Sequence, residues 1–514
     1  MCGICGITWD NKELIKQMGS ACKHRGPEHE GFYVDDHVSL CCERLRIIDL
    51  SDKASQPIHN EDQTIWVVLN GEIYNFRDLR ELLEKKHNFY TNTDTEVIVH
   101  AYEEFGENCL QKLDGMFAFA LWDMGKKKLF IARDRLGVKP LYYCIKSDKL
   151  LFASEIKSIL QDLDIQRKLN YDALCQFVTY AYTIDGQTMF DGINELLPGH
   201  KLIFTFSDKK VKIEKYWDLQ LTENLRSPEE NLKTLRLLLE NAIDKRRVSD
   251  APLGALLSGG LDSSVMVALL AKLSDNPVRT FTTGFGNELD EFNEAKIVAE
   301  HCGTDHKEIM IDYSELINTL PSILWHMEFP YGRPSILSNF MVSKAIKRYV
   351  TVAYTGEGSD ELFGGYNRYT WSRNLMLVIN MLPPRVRRWA VRHALQVAPD
   401  RLDRIYTKLA TVIPNSRKEF RFGEKLHKLA EVFDARTKEE MYWRLVSQWK
   451  NPMDALLGDY EPPTLLSRQT EWPVVPNFTQ QMMLLDTLVY LPDDILVKLD
   501  RASMAVSLES RVPF

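Results

Sequence analysis

Ser258-Gly259-Gly260-Leu261-Asp262-Ser263-Ser264 stands between an apolar run at residues 251–257 and an apolar-periodic stretch at 263–273. The run reads as a buried strand, the glycine pair as a turn and the following stretch as a helix. Glycines let the backbone approach a ligand closely, the three serines add hydroxyl donors, and a helix start offers unpaired N–H groups at the positive end of its dipole. That combination suits a phosphate chain, with Asp262 placed to hold a magnesium ion. A bare Gly-Gly turn leading into a helix is the other reading of the same residues. No G-x-x-x-x-G-K-[ST] occurs, so this is not a Walker loop. Working outward, 279–283, 307–311 and 349–354 read as strands and 294–301 as a helix, which predicts a parallel α/β sheet. Beyond Tyr369 the chain reads mostly helical.

Upstream, Ser227-Pro228-Glu229-Glu230 reads as a helix cap, with proline at the first helical position and acidic residues in the first turn. Leu232, Leu235, Leu238, Leu239, Ala242 and Ile243 are predicted to carry that helix's apolar face. The polar zone before it, including Ser207-Asp208-Lys209-Lys210 and Thr222-Glu223-Asn224, marks a domain boundary. Ahead of the boundary, strands are predicted at 38–42, 64–69, 117–122, 129–132 and 150–153, with helices at 76–86 and 94–105, a pattern of α+β or layered-sandwich type.

Sixty-four basic against seventy-two acidic side chains leave the 514 residues at −8, so charge gives no reason to expect nucleic acid. The basic stretch Arg385, Arg387, Arg388 and Arg392 reads as a solvated helix face. No apolar run approaches the ~20 residues of a membrane span, and the first residues do not resemble a secretory signal. Five of the nine cysteines precede residue 43 and four are scattered from Cys109 to Cys302. That is no disulfide framework, and it points to a reducing, cytoplasmic setting.

Removal of the initiator would expose Cys2, joining a thiol to a free α-amine of pKa about 7.7–8.0 that can serve as its base. The bland reading is a small buried hydrophobe. Cys2-x-x-Cys5 has zinc-like spacing, but the remaining candidates, Cys41 and Cys42, are adjacent and poorly suited to a tetrahedron, so no zinc is expected. Asn70-Gly71 follows an apolar strand. Its side-chain amide and glycine N–H could donate to an oxyanion, although Asn-Gly is also the commonest hairpin-turn signal, and on residue physics the turn takes precedence.

Cys2-Gly3-Ile4, His24-Arg25-Gly26-Pro27, Glu43-Arg44-Leu45, Asn70-Gly71-Glu72-Ile73-Tyr74-Asn75, Thr93-Asp94-Thr95-Glu96 and Leu113-Asp114-Gly115-Met116-Phe117 occur in the order of class II glutamine amidotransferase domains. The heptapeptide at Ser258 resembles the pyrophosphate loop of ATP pyrophosphatases. Gly356-Glu357-Gly358-Ser359-Asp360-Glu361-Leu362-Phe363-Gly364-Gly365-Tyr366 resembles a synthetase motif, as do Lys498-Leu499-Asp500-Arg501-Ala502-Ser503 and Glu509-Ser510-Arg511-Val512-Pro513-Phe514. Together they resemble the glutamine-hydrolysing asparagine synthetases.

The resemblance implies a glutaminase domain at 2–206 with an N-terminal-nucleophile αββα sandwich, a linker at 207–228 and a synthetase domain at 229–514 with a helical C-terminal part. Cys2 would attack glutamine, and Asn70 and Gly71 would form the oxyanion hole. Arg44, Ile47, Ile48, Glu72 and Asp94 would join Asn70 and Gly71 in binding glutamine. Leu257, Ser258, Gly259, Gly260, Asp262, Ser263, Ser264, Thr283, Thr355 and Gly356 would receive ATP, Glu357 would act in catalysis, and Asp262 with Asp360 would hold magnesium. Implied substrates are glutamine, ATP with Mg2+, and a carboxylate, most simply aspartate. No redox cofactor, nucleic acid or membrane is implied, and a homodimer is compatible with the resemblance.

Three departures stand out. Cys42 replaces a usual histidine. The acidic segment before the Gly356 motif reads Glu328-Phe329-Pro330 with Arg333 following, which raises another carboxylate, such as a uronic or modified sugar acid, as alternative acceptor. Family chains also continue beyond Arg-Val-Pro-Phe and supply a further lysine; the corresponding expectation is intact glutaminase chemistry with impaired synthetase activity.

Overall fold

Alternation along the first strand decides how the N-terminal half is layered. In the computed structural model β1 (Cys2–Ile7) sends Cys2 and Ile4 to one side and Cys5 and Ile7 to the other, so each pair enters a different apolar core. The structure describes residues 1–222, 226–286, 290–312, 314–410, 422–449, 451–456, 462–473, 475 and 477–514. Two units are present: Met1–Leu174, Thr183–Ser359 and Tyr490–Phe514 form the first, and Cys175–Tyr182 with Asp360–Val489 the second.

Within the first unit, β2 (His29–Val34), β3 (Ser39–Arg44), β4 (Ile58–His59), β5 (Ile65–Ile73), β6 (Gly115–Asp123), β7 (Lys128–Arg133), β8 (Tyr142–Lys146), β9 (Lys149–Ala153), β10 (Ile193–Glu195), β11 (His200–Thr205) and β12 (Lys210–Lys215) join β1 in two six-stranded sheets. Their orders are β10-β8-β9-β1-β3-β2 and β12-β11-β7-β6-β5-β4. Cys2, Ile4, Leu40 and Cys42 of one sheet meet Val68, Ala118, Ala120 and Trp122 of the other in a shared core. Helix Lys12–Ala21 covers the outer face of the first sheet and helix Glu96–Phe105 that of the second. This is the αββα sandwich.

Asn70-Gly71 does not turn. β5 runs through it, with Asn70 opposite Ala118 and Gly71 opposite Phe117 on antiparallel β6. The nine-residue partner strand overrides the local turn preference. Gly71 is required there because it has φ +150° and a Cβ would collide with the Met116 carbonyl.

The stretch expected as linker begins with a strand, since Lys210–Lys215 pairs with β11; its residues 223–225 lie outside the described ones. Ser227 and Glu230 form a reciprocal capping box at helix Pro228–Lys245. The apolar face expected on that helix is buried only at Ile243, while Leu232 and Leu238 are 70% and 60% exposed. β13 (Leu253–Leu256), β14 (Arg279–Gly284), β15 (Asp305–Met310) and β16 (Val352–Tyr354) form the parallel sheet. A strand unforeseen from sequence, β17 (Glu509–Arg511), completes the order β15-β14-β13-β16-β17.

The stretch expected as one synthetase domain contributes to both units. The second unit is helical, from Asn367–Met381 to Phe478–Leu485, with Ile379, Val432, Ala435 and Met441 in its core. Tyr442 donates to buried Asp486 at 2.7 Å and Arg368 Nε at 3.0 Å. Arg387, expected on a solvated face, is instead buried and donates to the Ala435 carbonyl at 2.9 Å. No described helix is long and apolar enough to cross a membrane.

Candidate functional site

Cys2 is buried, opposite Arg44 on β3, and its main-chain N–H donates to Asn70 Oδ1 at 3.2 Å. One side-chain oxygen thus ties the Cys2 nitrogen to the second sheet. The same amide's Nδ2 is buried without a hydrogen-bond partner among the described residues. An unmet buried donor costs about 1–3 kcal/mol, which leaves this amide with a hydrogen bond to give next to the thiol. Asn70→Ala is expected to lower the rate of glutamine hydrolysis about 10²–10³-fold with little change in melting temperature, measured by glutamate release.

Two neighbours of the thiol lie outside the residues expected to bind glutamine. Gln56 Nε2 lies 3.7 Å from Cys2 Sγ, held by its bond to the Leu69 carbonyl at 3.2 Å, while Gln56 Oε1 accepts from Leu69 N at 2.6 Å. Nothing in the local sequence marks this glutamine. Cys42 is the other. Its hydrogen bond leads over the opposing effect of burial in drawing the Cys2 thiol down to about 6, and the terminal ammonium and Arg44 add to it. Cys42 itself is pushed well up by burial, so it remains the protonated donor. In the chain that retains Met1, whose ammonium is one of these causes, the Cys2 thiol is thus drawn down to about 6. Alkylation rate against pH should show that midpoint, and Cys42→Ala should move it upward toward the ordinary thiol value.

The groups adjacent to Cys2 are charged and buried. Met1 is still attached, and its ammonium is buried against Glu509 Oε2 at 2.9 Å. Glu509 also accepts from Arg511 Nε at 2.6 Å. Glu72 Oε2 has no hydrogen-bond partner among the described residues and stands 3.9 Å from Arg511 Nη2. Burial, reinforced by Asp94 and Glu509, pushes Glu72 well up. Asp94 is also raised, by burial, although it accepts from Ile73 N at 2.8 Å. Arg44 donates to the Ser51 and Ile48 carbonyls at 2.9 and 3.3 Å and to that of Asp49, so it shapes the loop after β3. The Ile47 carbonyl is taken by Asp250 N at 2.8 Å.

Cys2 and Cys5 point to opposite faces of β1, which removes the zinc-like spacing as a ligand pair.

The glycine loop leaves β13 at the edge shared with β14 and β16. Gly259 has φ +80°, and a Cβ there would meet Glu294 Cβ at 2.5 Å, so no other residue fits. Ser258 Oγ and Ser263 Oγ are 3.0 Å apart, and Gly260 N donates to Ser258 Oγ at 3.3 Å. Gly260 caps helix Leu261–Leu273 without a side-chain bond, leaving that helix's first amides without intrahelical partners. Gly356 abuts the loop: its Cβ position lies 3.5 Å from both Asp262 Cβ and Ser263 N. Leu257 N donates to the Phe281 carbonyl at 2.9 Å, and its own carbonyl accepts from Thr282, so both its main-chain groups are engaged. Thr283 lies on β14 opposite Ile309. Thr355 N donates to the Arg511 carbonyl at 3.0 Å, and Glu357 N to Thr355 Oγ1 at 3.2 Å. Asp360 belongs to the second unit, where its carbonyl accepts from Gly364 and Gly365 N at 3.0 Å each.

Helix Val497–Met504 reaches both sites. Lys498 Nζ stands 3.6 Å from Glu357 Oε1. Asp500 is held by Arg25 at 2.8 and 3.2 Å, and Arg25 Nε donates to the Cys2 carbonyl at 3.2 Å. Next to it, Arg501 pairs with Glu155 at 3.0 Å and Glu328 at 2.8 Å. Glu328, expected near an acceptor carboxylate, is instead buried and accepts from Ile156 N and Lys157 N at 2.9 and 2.6 Å. Arg333 pairs with Asp494 at 2.9 Å.

A sandwich with a buried cysteine on its first strand and an orphaned amide beside it is joined in this chain to a glycine loop on a parallel sheet. The chain matches the glutamine amidotransferase domain family over residues 1–217 and the asparagine synthase family over 234–514. It belongs to the asparagine synthase family, whose members amidate with glutamine as nitrogen donor. It is 32% identical to asparagine synthetase [glutamine-hydrolyzing] 1 of Bacillus subtilis, with 100% of this chain and 79% of that protein covered. Identity is 35% with a putative asparagine synthetase of Methanocaldococcus jannaschii, over 71% and 76% of the two chains. Among solved structures, glutamine phosphoribosylpyrophosphate amidotransferase of B. subtilis aligns with TM-score 0.32 and 17% identity over 60% of this chain and 65% of that one.

Proposed function

We propose that the chain converts aspartate, ATP, glutamine and water into asparagine, AMP, pyrophosphate and glutamate. With Met1 removed, the α-amine of Cys2, held by Asn70 Oδ1, takes the thiol proton as sulfur attacks the glutamine amide. Asn70 Nδ2 and Gly71 N receive the oxyanion, Glu72 and Asp94 hold the substrate ammonium, and Arg44 with the 47–48 main chain holds its carboxylate. Ammonia leaves and water releases glutamate from the thioester.

At the other site the aspartate side-chain carboxylate attacks the α-phosphorus of ATP and expels pyrophosphate, so that a phosphate ester oxygen replaces oxide as leaving group. Ser258, Gly259, Gly260, Ser263 and Ser264 with the open helix start receive the departing phosphates. Asp262 would hold the magnesium that accompanies ATP, and the family resemblance adds Asp360; the ion would offset charge on the departing pyrophosphate. Leu257, Thr283 and Thr355-Gly356 line the nucleotide, and Glu357 acts where ammonia displaces AMP.

The observation that carries this reading is the shared helix Val497–Met504, which joins the Cys2 carbonyl through Asp500 and Arg25 and meets Glu357 through Lys498. Ammonia must travel unprotonated, and Met1 lies in a buried apolar cluster with Ala251, Val352 and Met504, between the thiol's strand and β16. Pyrophosphate release over a panel of carboxylic acids tests it: turnover is expected with aspartate, and a profile led by a sugar acid overturns the acceptor.

A further inference from the structure

The first unit holds a cluster of metal-ligating side chains that neither site uses. We propose that Glu61, His87, His100 and Glu103 form a structural site for one divalent transition ion, with zinc the best fit. Each offers a ligand atom, and the four atoms lie within 4.8 Å of one another. Tetrahedral zinc with bonds of about 2.0–2.1 Å separates its ligand atoms by roughly 3.3 Å. Glu103 Oε2 lies 2.8 Å from His100 Nδ1 and 3.4 Å from His87 Nδ1, and Glu61 oxygens lie 3.9 Å from each of these nitrogens. Small rotamer changes close that set on an ion.

The outer contacts are an independent sign. In both rings Nδ1 faces the cluster and Nε2 faces a further carboxylate: His87 Nε2 lies 3.2 Å from Glu104, and His100 Nε2 lies 3.6 Å from Glu96. Metal-bound imidazoles are oriented in this way, by a carboxylate on the other nitrogen. His100 is fully buried, and its Nε2 makes no hydrogen bond among the described residues. The carboxylates are themselves anchored. Glu103 Oε1 accepts from Asn60 at 2.9 Å, Glu61 Oε1 from Asn88 N at 2.7 Å, and Glu96 from Tyr90 and Thr91 N at 2.8 Å each.

The two rings stack with centroids 4.7 Å apart at 29°. Two nitrogens and two carboxylate oxygens make a closed set of borderline donors, which suits zinc better than magnesium or calcium.

The ligands come from three places: the turn between β4 and β5, the chain after helix Phe76–Leu83, and helix Glu96–Phe105. An ion here would clamp the outer helix layer onto the sheet that carries Asn70. Cysteine spacing argued against zinc because these ligands are no cysteines and span more than forty positions.

The test uses the full chain, stripped with chelator and titrated with Zn2+ against a chromophoric competitor, then with Co2+. One ion per chain is expected, with visible bands of tetrahedral Co2+ and no sulfur charge-transfer band. Zinc should raise the melting temperature. His87→Gln and the solvent-facing Glu103→Gln should each weaken binding at least about tenfold and abolish the thermal gain, while His301→Gln leaves both intact. No stoichiometric binding, binding indifferent to both substitutions, or a thiolate band would overturn the proposal. Glutamine hydrolysis is read separately, so its failure and that of this site remain distinguishable.

Discussion

Cys2→Ala is expected to abolish glutamine-dependent turnover, lowering glutamate release by about 10⁴-fold or more, while ammonium-supported amidation, assayed on a chain that carries the family's further C-terminal lysine, continues. The split follows from the geometry. Alanine fills most of the space of a thiol that is buried between the two sheets, so Asn70, Gly71 and the chamber at Glu72 and Glu509 keep their places. Among the described residues no hydrogen bond joins the glycine loop to Cys2. Blocking removal of Met1 should give the same phenotype by another route, because the extra residue then stays buried next to the thiol with its ammonium locked on Glu509, and the Cys2 nitrogen remains a non-basic amide. Glutamate release and ammonium-dependent pyrophosphate release, measured side by side, check both. Glutamine hydrolysis surviving in Cys2→Ala would remove the nucleophile from this account.

What the sequence disclosed and what it hid divide along one physical line. Features set by a few neighbouring residues were legible: the capped start of helix Pro228–Lys245, the strand–glycine–helix unit at Ser258, and the alternation of strands and helices that makes the parallel sheet. Features set by distant pairing were not. Asn70-Gly71 has the local chemistry of a turn, and only the β6 register keeps it extended. Glu509-Ser510-Arg511 is too short and charged to announce a strand, yet it pairs with β16 and brings Glu509 to the chain's first residue. Glu328 looked like part of an acceptor pocket because acids stand there in the family. Its burial against Arg501 and two main-chain amides could not be seen before folding. The same holds for Gln56, whose role depends on Leu69 and Cys2 meeting it in space.

Arg25→Leu is the second large expectation, and it concerns both sites at once. Arg25 is fully buried and forks onto Asp500, with Nη1 also reaching Glu155 at 3.1 Å and Nε the Cys2 carbonyl. Leucine matches much of its apolar bulk but leaves Asp500 and the Cys2 carbonyl short of a donor. Lys139, 3.7 Å from Asp500, is too far to make good the loss, and Glu155 keeps Arg501 at 3.0 Å and Lys157 at 2.5 Å. Removing one partner of a buried ion pair costs about 3–5 kcal/mol, which corresponds to a fall in melting temperature on the order of 10 °C. Glutamine hydrolysis should fall as the Cys2 main chain loosens, and less asparagine should form per glutamine hydrolysed as helix Val497–Met504 loses its hold on the first strand. Arg25→Lys restores the charge without the fork and should recover stability only in part. Combining Arg25→Leu with Asp500→Leu removes the stranded carboxylate, so the double variant should be more stable than the sum of the two single losses. If the losses simply add, the pair is not the link between the two halves.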